Sequence, residues 1–390
     1  MDFKFSEEQQ KLRQEVRNFL EEELRQGLWQ PSCDAWIMGF DPEFTKRVAQ
    51  KGWIGLTWPK EHGGQGRSYV DRLIITEEML RYGAPAGCHW FADRQVGGAM
   101  LLYGTDEQKK ELLPMILRGE ARVGLGMSEP EAGSDLASLK TRAIEDGDNY
   151  IIDGQKVWTS GGSHMNWIYL VARTDQEAPK HRGISEFFFE TSLPGIDVRP
   201  IIDITGRVHF NEVFFDSVRV PKKSLIGEKN RGFYQILHQL DYERSGMERL
   251  MANYPLFEAL IQYVKETKRN DKPLSEEPLI RSKLAQLKIE LEVGRLHMYR
   301  IALVMDEGRA PNWESAMAKT YGTAFEQRLA NTAMEIAGLY GQLSPESKWV
   351  PMLGMAYESY LSSKGYSLQA GTSEILKNIL ALRKLELPTQ

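Results

Sequence analysis

Between Val123 and Ser160 two polar, glycine-bearing loops interrupt strand-like sequence. The first reads Met127-Ser128-Glu129-Pro130-Glu131-Ala132-Gly133-Ser134-Asp135, and the second, Trp158-Thr159-Ser160-Gly161-Gly162, ends an alternating strand that begins at Tyr150. Hydroxyls grouped beside an indole suit a flat ligand with polar edges. A ring system with imide and amide edges takes donors and acceptors at its rim and an apolar or aromatic wall on its face. A flavin is such a ligand. Either loop alone reads equally as an ordinary Ser/Gly turn of a β-domain.

The rest of the chain must position these loops. Its 390 residues are long enough for two or three domains, and 42% hydrophobic with 26% charged residues is the composition of a globular protein. A net charge of -5 offers no basic excess for nucleic acid. Cys33 and Cys88 are too few for a disulfide framework, and without a Cys/His cluster no metal site is expected. No apolar run reaches the length of a membrane span, and Met1-Asp2-Phe3-Lys4-Phe5-Ser6-Glu7-Glu8 has the character of neither a signal nor a transit peptide. The expectation is a cytoplasmic protein working in a reducing compartment.

Ser6 with Gln9 is a capping-box signature, and Leu12, Val16, Phe19 and Leu20 recur at helical spacing behind it. Helices are expected again over Pro42 to Gln50, from Ser68 to Tyr82, from Trp90 to Tyr103, and from Thr105 to Leu117. Strand patterns then dominate from about Arg122 to Gly227, with turns at Asp146-Gly147-Asp148, Pro194-Gly195 and Thr205-Gly206. Gly124-Leu125-Gly126 lacks the third glycine and the following helix of a dinucleotide fingerprint, so a Rossmann fold is rejected. Helical periodicity returns near 230–268, 276–306, 313–342 and 346–364 and after Gly371, with Ile280, Leu284, Leu287 and Leu291 forming an apolar stripe. The expected layout is a helical domain over 1–121, a β-domain over 122–228 and a helical bundle over 229–390.

This layout and both loops resemble the acyl-CoA dehydrogenase family over essentially the whole chain. The loop Trp58-Pro59 to Gly63-Gly64 resembles the family's W-P-x-x-x-G-G segment, and Gly371-Thr372-Ser373-Glu374-Ile375 its G-T-S-E-I segment. The resemblance implies a mainly α fold with a central β-barrel-like domain and a C-terminal four-helix bundle. It implies FAD as cofactor, acyl-CoA as substrate and an electron-transfer flavoprotein as acceptor, hence a flavoprotein oxidoreductase of lipid metabolism. Ser128 would bond the pyrimidine end of the flavin, Trp158 would cover a ring face, and Ser160 would face N5. Met127, Thr159, Thr372 and Glu374 would complete the cofactor contacts, with Ser134 shared with the acyl-CoA chain.

Two departures sharpen the reading. The family's commonest base is a Glu immediately before the G-T-S-E-I glycine, and that position is Ala370. Alanine takes no proton, although the backbone N–H of Ala370 can still bind the thioester carbonyl, with Gly371 beside it among the substrate-binding residues. Leu240-Asp241-Tyr242-Glu243-Arg244 resembles the helix of the isovaleryl- and long-chain acyl-CoA dehydrogenases, whose base is a Glu directly before an Arg, which implies Glu243. Arg244 and Asp241 would then serve the CoA. Secondly, the R-x-x-F-G and Q-x-x-G-G-x-G segments that clamp the adenosine half of a neighbour's FAD are replaced by Glu266-Thr267-Lys268-Arg269-Asn270-Asp271 and Glu335-Ile336-Ala337-Gly338-Leu339-Tyr340-Gly341. A homo-oligomer gripping adenosine through Lys268, Arg269 or Lys272, and an α2β2 tetramer with a related chain, both answer this loss. A flavin oxidase or monooxygenase, and a non-catalytic interaction subunit, are the rival functions. Asp93 and Arg94 stand either as a surface pair or as polar lining of an acyl pocket.

Overall fold

The computed structural model describes residues 4–388, the side chains of Asp241 and Glu243 excepted. The chain is mainly α with a central sheet. The capping signatures form as written: the Ser6 hydroxyl accepts the Gln9 N–H at 3.2 Å while the Gln9 side chain accepts the Ser6 N–H at 3.1 Å, opening helix Glu7–Arg25. Thr105 and Gln108 make the same reciprocal pair ahead of helix Asp106–Leu117. Asp41 caps Pro42–Gln50 and Ser68 caps Tyr69–Tyr82. These bonds satisfy N–H groups that have no partner inside the helix.

Three expected helices differ. The segment from Trp90 to Tyr103 contains a π-helical turn, Ala92–Val96, before helix Gly97–Tyr103. Such one-residue insertions into a helix gather at functional sites. The stretch 230–268 breaks into Gly232–Glu243, Glu248–Met251 and Tyr254–Glu266. Gly246 sits in the first break, where a Cβ would lie 1.9 Å from a Glu248 carboxylate oxygen. Pro255 opens the third piece. The helix expected over 346–364 begins only at Met355, because Pro351 starts a short turn ahead of it.

The strands build an eight-stranded sheet from β1 Val123–Gly126, β2 Arg142–Asp146, β3 Asn149–Ser160, β4 Trp167–Arg173, β5 Ile184–Glu190, β6 Ile196–Ile202, β7 Val208–Pro221 and β8 Leu225–Ile226. Its order is β6-β7-β3-β2-β4-β5-β8, with β1 parallel to β4. No dinucleotide-type helix follows β1, only a loop and the turn Leu136–Ser138. The inward face buries Tyr150, Ile152, Ile168, Leu170, Phe187, Phe189, Val213 and Phe215 in one core. The long β3–β7 pairing slips between Ile152 and Gly154 and again between Lys156 and Thr159. The second slip is a bulge at the end of the strand that leads into the second loop.

Packing divides the chain into two compact units. One comprises Met1–Trp36, Ser68–Ala84 and Arg244–Gln390; the other comprises Ile37–Arg67 and Pro85–Glu243, and includes the sheet. Within the first unit, helices Pro278–Asp306, Asn312–Ala337, Met355–Tyr366 and Ser373–Arg383 make the C-terminal bundle. Among the described residues no helix is long and apolar enough to cross a membrane.

Candidate functional site

In the sheet-bearing unit the two loops are joined to each other. The Val157 N–H donates to the Ser128 carbonyl at 2.9 Å, and the Lys156 ammonium donates to the Met127 carbonyl at 3.0 Å and to Glu129 at 2.8 Å. Glu129 also accepts the Lys140 and Thr141 N–H groups, at 2.6 and 2.8 Å. Burial pushes the Lys156 ammonium down to about 8, with Glu129 opposing the shift. Burial acts to raise the Glu129 carboxyl, but the Lys156 charge and the hydrogen bonds from Lys156, Lys140 and Thr141 together outweigh it and hold the group below its usual range. The pair is therefore ionic at neutral pH.

The bulge after Lys156 gives Trp158 a left-handed φ of 62°, unusual for an aromatic residue, and leaves the residue 57% exposed with its ring perpendicular to that of Phe210. Thr159, next in the chain, is fully buried, and its hydroxyl has no hydrogen-bond partner among the described residues. Ser128 and Ser160 are half-buried, while Ser134 is exposed on the first loop. An exposed indole, a buried hydroxyl without a partner among the described residues and half-buried serines are groups suited to a flavin's face and polar rim. The residues present fit the cofactor.

Helix Gly232–Glu243 ends at the expected base. The side chains of Asp241 and Glu243 lie outside the described residues. One turn earlier Gln239 donates to the Tyr169 hydroxyl at 3.0 Å and to Glu186 at 3.0 Å, and Gln235 donates to Glu186 at 2.7 Å. Burial pushes the Glu186 carboxyl up to about 8, against the hydrogen bonds of Gln235, Tyr169 and Gln239, so it is protonated at neutral pH. The π-helical turn packs against this same helix. Within that turn the buried Asp93 accepts the Gly55 N–H at 2.9 Å and lies 3.4 Å from Arg94. Asp93 and Arg94 are therefore not an exposed surface pair: their side chains are only 7% and 13% exposed. Neighbouring Gln95 is buried, and neither of its amide atoms has a hydrogen-bond partner among the described residues.

In the other unit, Arg244 is buried and donates from Nε to the Ala370 carbonyl at 2.8 Å. Ala370 and Gly371 take φ values of 53° and 94°, and Thr372 caps helix Ser373–Arg383 by accepting the Ile375 N–H at 3.3 Å. Glu374 is exposed in that helix's first turn. The first altered clamp segment is a tight hairpin, Lys268–Arg269 paired with Lys272–Pro273, whose turn residues Asn270 and Asp271 both have positive φ. Lys268, Arg269 and Lys272 are exposed there, with Arg269 paired to Glu277 at 3.2 Å. The second ends helix Asn312–Ala337 and leaves Leu339 and Tyr340 exposed.

Sequence reasoning gave no role to Lys156, Glu129, Glu186 or Gln239. The available signal was charge in the wrong place: Lys156 lies within a strand of the sheet core, and Glu186 precedes Phe187-Phe188-Phe189, positions that normally bury only apolar groups.

Family models for the acyl-CoA dehydrogenase N-terminal, middle and C-terminal domains match residues 6–120, 124–218 and 230–385. The acyl-CoA dehydrogenase FadE26 of Mycobacterium tuberculosis is 32% identical, over 100% of this chain and 99% of that protein. The solved Tcur3481-Tcur3483 steroid ACAD has a TM-score of 0.89 at 32% identity, and the ChsE4-ChsE5 complex from Mycobacterium tuberculosis 0.88 at 30%, each covering 100% of both chains. With three domain models in order and full-length likeness, the chain belongs to the acyl-CoA dehydrogenase family, as an FAD-dependent enzyme of acyl-CoA dehydrogenation.

Proposed function

We propose that Glu243 is the base that removes the α-proton of an acyl-CoA thioester, giving the 2-enoyl-CoA. The observation that carries this is the paired arrangement at positions 243–244 and 370. Position 370 offers only a methyl group, while Glu243 closes a helix immediately before Arg244, whose guanidinium holds the Ala370 carbonyl. FAD, when bound, supplies the acceptor for the β-hydride. Met127, Ser128, Trp158, Thr159 and Ser160 hold and orient its ring, Thr372 and Glu374 contribute from the C-terminal segment, and Ser134 serves both cofactor and substrate. The Ala370 and Gly371 N–H groups bind the thioester oxygen, where charge develops as the α-proton leaves. Arg244 and Asp241 bind on the CoA side.

The electrons pass to an electron-transfer flavoprotein, and the reaction runs in the cytoplasm, a placement in keeping with two buried free cysteines. The chain is the base-bearing member of an α2β2 tetramer: both adenosine-clamp motifs are missing, and the Tcur3481-Tcur3483 steroid ACAD and the ChsE4-ChsE5 complex are each named as a pair of chains. The segments 1–121, 122–228 and 229–390 are its evolutionary domains. Glu243→Gln tests the central assignment, because the amide keeps the shape and loses the basicity. Turnover should fall by orders of magnitude with FAD and ligand binding retained; near-normal turnover would overturn it.

A further inference from the structure

Lys319, on helix Asn312–Ala337, is a cation with no exposed surface. Its ammonium donates to three backbone carbonyls, one at the end of helix Met355–Tyr366 and two in the loop that follows: Tyr366 at 3.0 Å, Gln369 at 2.8 Å and Gly371 at 2.7 Å. The carbonyl between the last two, that of Ala370, accepts from Arg244 at 2.8 Å. Carbonyl oxygens of residues 366, 369, 370 and 371 thus all end on buried cations.

The consequence follows from the planar trans peptide. The carbonyl of one residue and the N–H of the next point in opposite directions. Turning the Gln369 and Gly371 carbonyls onto Lys319 turns the Ala370 and Thr372 N–H groups away from it, and turning the Ala370 carbonyl onto Arg244 turns the Gly371 N–H away from Arg244. None of these three N–H groups has an acceptor among the described residues. Ala370 holds its φ of 53° although a left-handed conformation is unfavourable for a residue with a side chain. The carbonyl anchors hold it there.

We propose that Lys319 is the positioning residue for thioester activation: it fixes the loop so that successive backbone N–H groups face the developing enolate oxygen, and it sets a buried positive charge behind them. An oxyanion site works by being organised before the charge appears, and three carbonyls on one ammonium supply that organisation. Lys319 touches neither substrate nor cofactor in this account. The inference rests on the assignment of the Ala370–Gly371 loop to the thioester and deepens it.

The test uses flavin-loaded protein, with its partner chain if one is needed for loading, and a 3-thia-acyl-CoA labelled with carbon-13 at the thioester carbonyl. Sulfur at the β-position prevents hydride loss, so binding and α-deprotonation are read alone. The infrared carbonyl band should move to lower frequency on binding wild-type protein. In Lys319→Met that displacement should shrink by half or more, α-deprotonation should need a higher pH, and kcat should fall at least tenfold with a smaller change in KM. Lys319→Arg, which keeps a cation, should fall between the two and serves if the methionine variant does not fold. A wild-type-sized band displacement in either folded, flavin-loaded variant overturns the role of Lys319. An undisplaced band already in the wild-type protein would instead count against the thioester assignment of the loop.

Discussion

At the scale of single residues, the site is marked by side chains and backbones whose state costs free energy without a ligand. The Thr159 hydroxyl is buried and has no partner among the described residues, a cost of about 1–3 kcal/mol for such a group. Trp158 next to it holds a left-handed backbone and an exposed indole. If a flavin satisfies both, Thr159→Val should leave the apo protein as stable or slightly more so, while reducing the thermal stabilisation gained on adding FAD. Ser160→Ala should change the flavin absorption band or the reduction rate. Differential scanning of apo and loaded protein, with visible spectra, reads both; unchanged FAD stabilisation and spectra would misplace the second loop. The residue types of this loop were legible in the sequence, but its geometry was not. The bulge between Lys156 and Thr159 arises from pairing with a strand some fifty residues downstream, which no local pattern in β3 discloses.

At the scale of elements, local signals survived best where the determinants were local. Ser6 with Gln9 and Thr105 with Gln108 announced helix starts that form as written, because both partners lie within one turn. The π-helical turn at Ala92–Val96 and the break between Glu243 and Glu248 were not legible, since packing around Asp93 and Gly246 decides them. Helix Gly232–Glu243 is held by contacts between elements as well: Gln235 and Gln239 donate to Glu186 on β5. Burial raises that carboxyl to about 8. A carboxyl raised above its unfolded value of about 4.3 contributes stability fully below that value and loses it as pH rises through the folded pKa. Burial raises Glu326 to about 8 as well, so two groups share the window. Burial also lowers His89 to about 3 and His209 to about 4, and these groups gain stability as pH rises towards the unfolded histidine value of about 6.5, offsetting the carboxyls below it; wild-type thermal stability should therefore decline mainly between about pH 6.5 and 8, by on the order of a few kcal/mol. Glu186→Gln should flatten part of that decline. A pH series of melting temperatures with the same slope in both proteins would contradict the buried neutral carboxyl.

At the scale of the whole molecule, two properties bear on assembly. The adenosine-clamp segments have become a hairpin with exposed Lys268, Arg269 and Lys272 and a helix end with exposed Leu339 and Tyr340. A chain of this kind purified alone should bind FAD weakly, and co-expression with a clamp-bearing relative should give about one FAD per two chains. Full flavin occupancy in an active homo-oligomer, measured by absorbance against protein mass, would exclude the heteromer. The central claim is dehydrogenation of an acyl-CoA with the flavin as acceptor, and it is tested most directly by anaerobic titration of the assembled, flavin-loaded protein with straight-chain, branched, aromatic-ring and steroid acyl-CoAs. At least one class should bleach the flavin stoichiometrically and yield its 2-enoyl-CoA by mass, with slow reoxidation in air while the product stays bound. A flavin that none of them bleaches, or one that bleaches without enoyl product and reoxidises at once in oxygen, would contradict it.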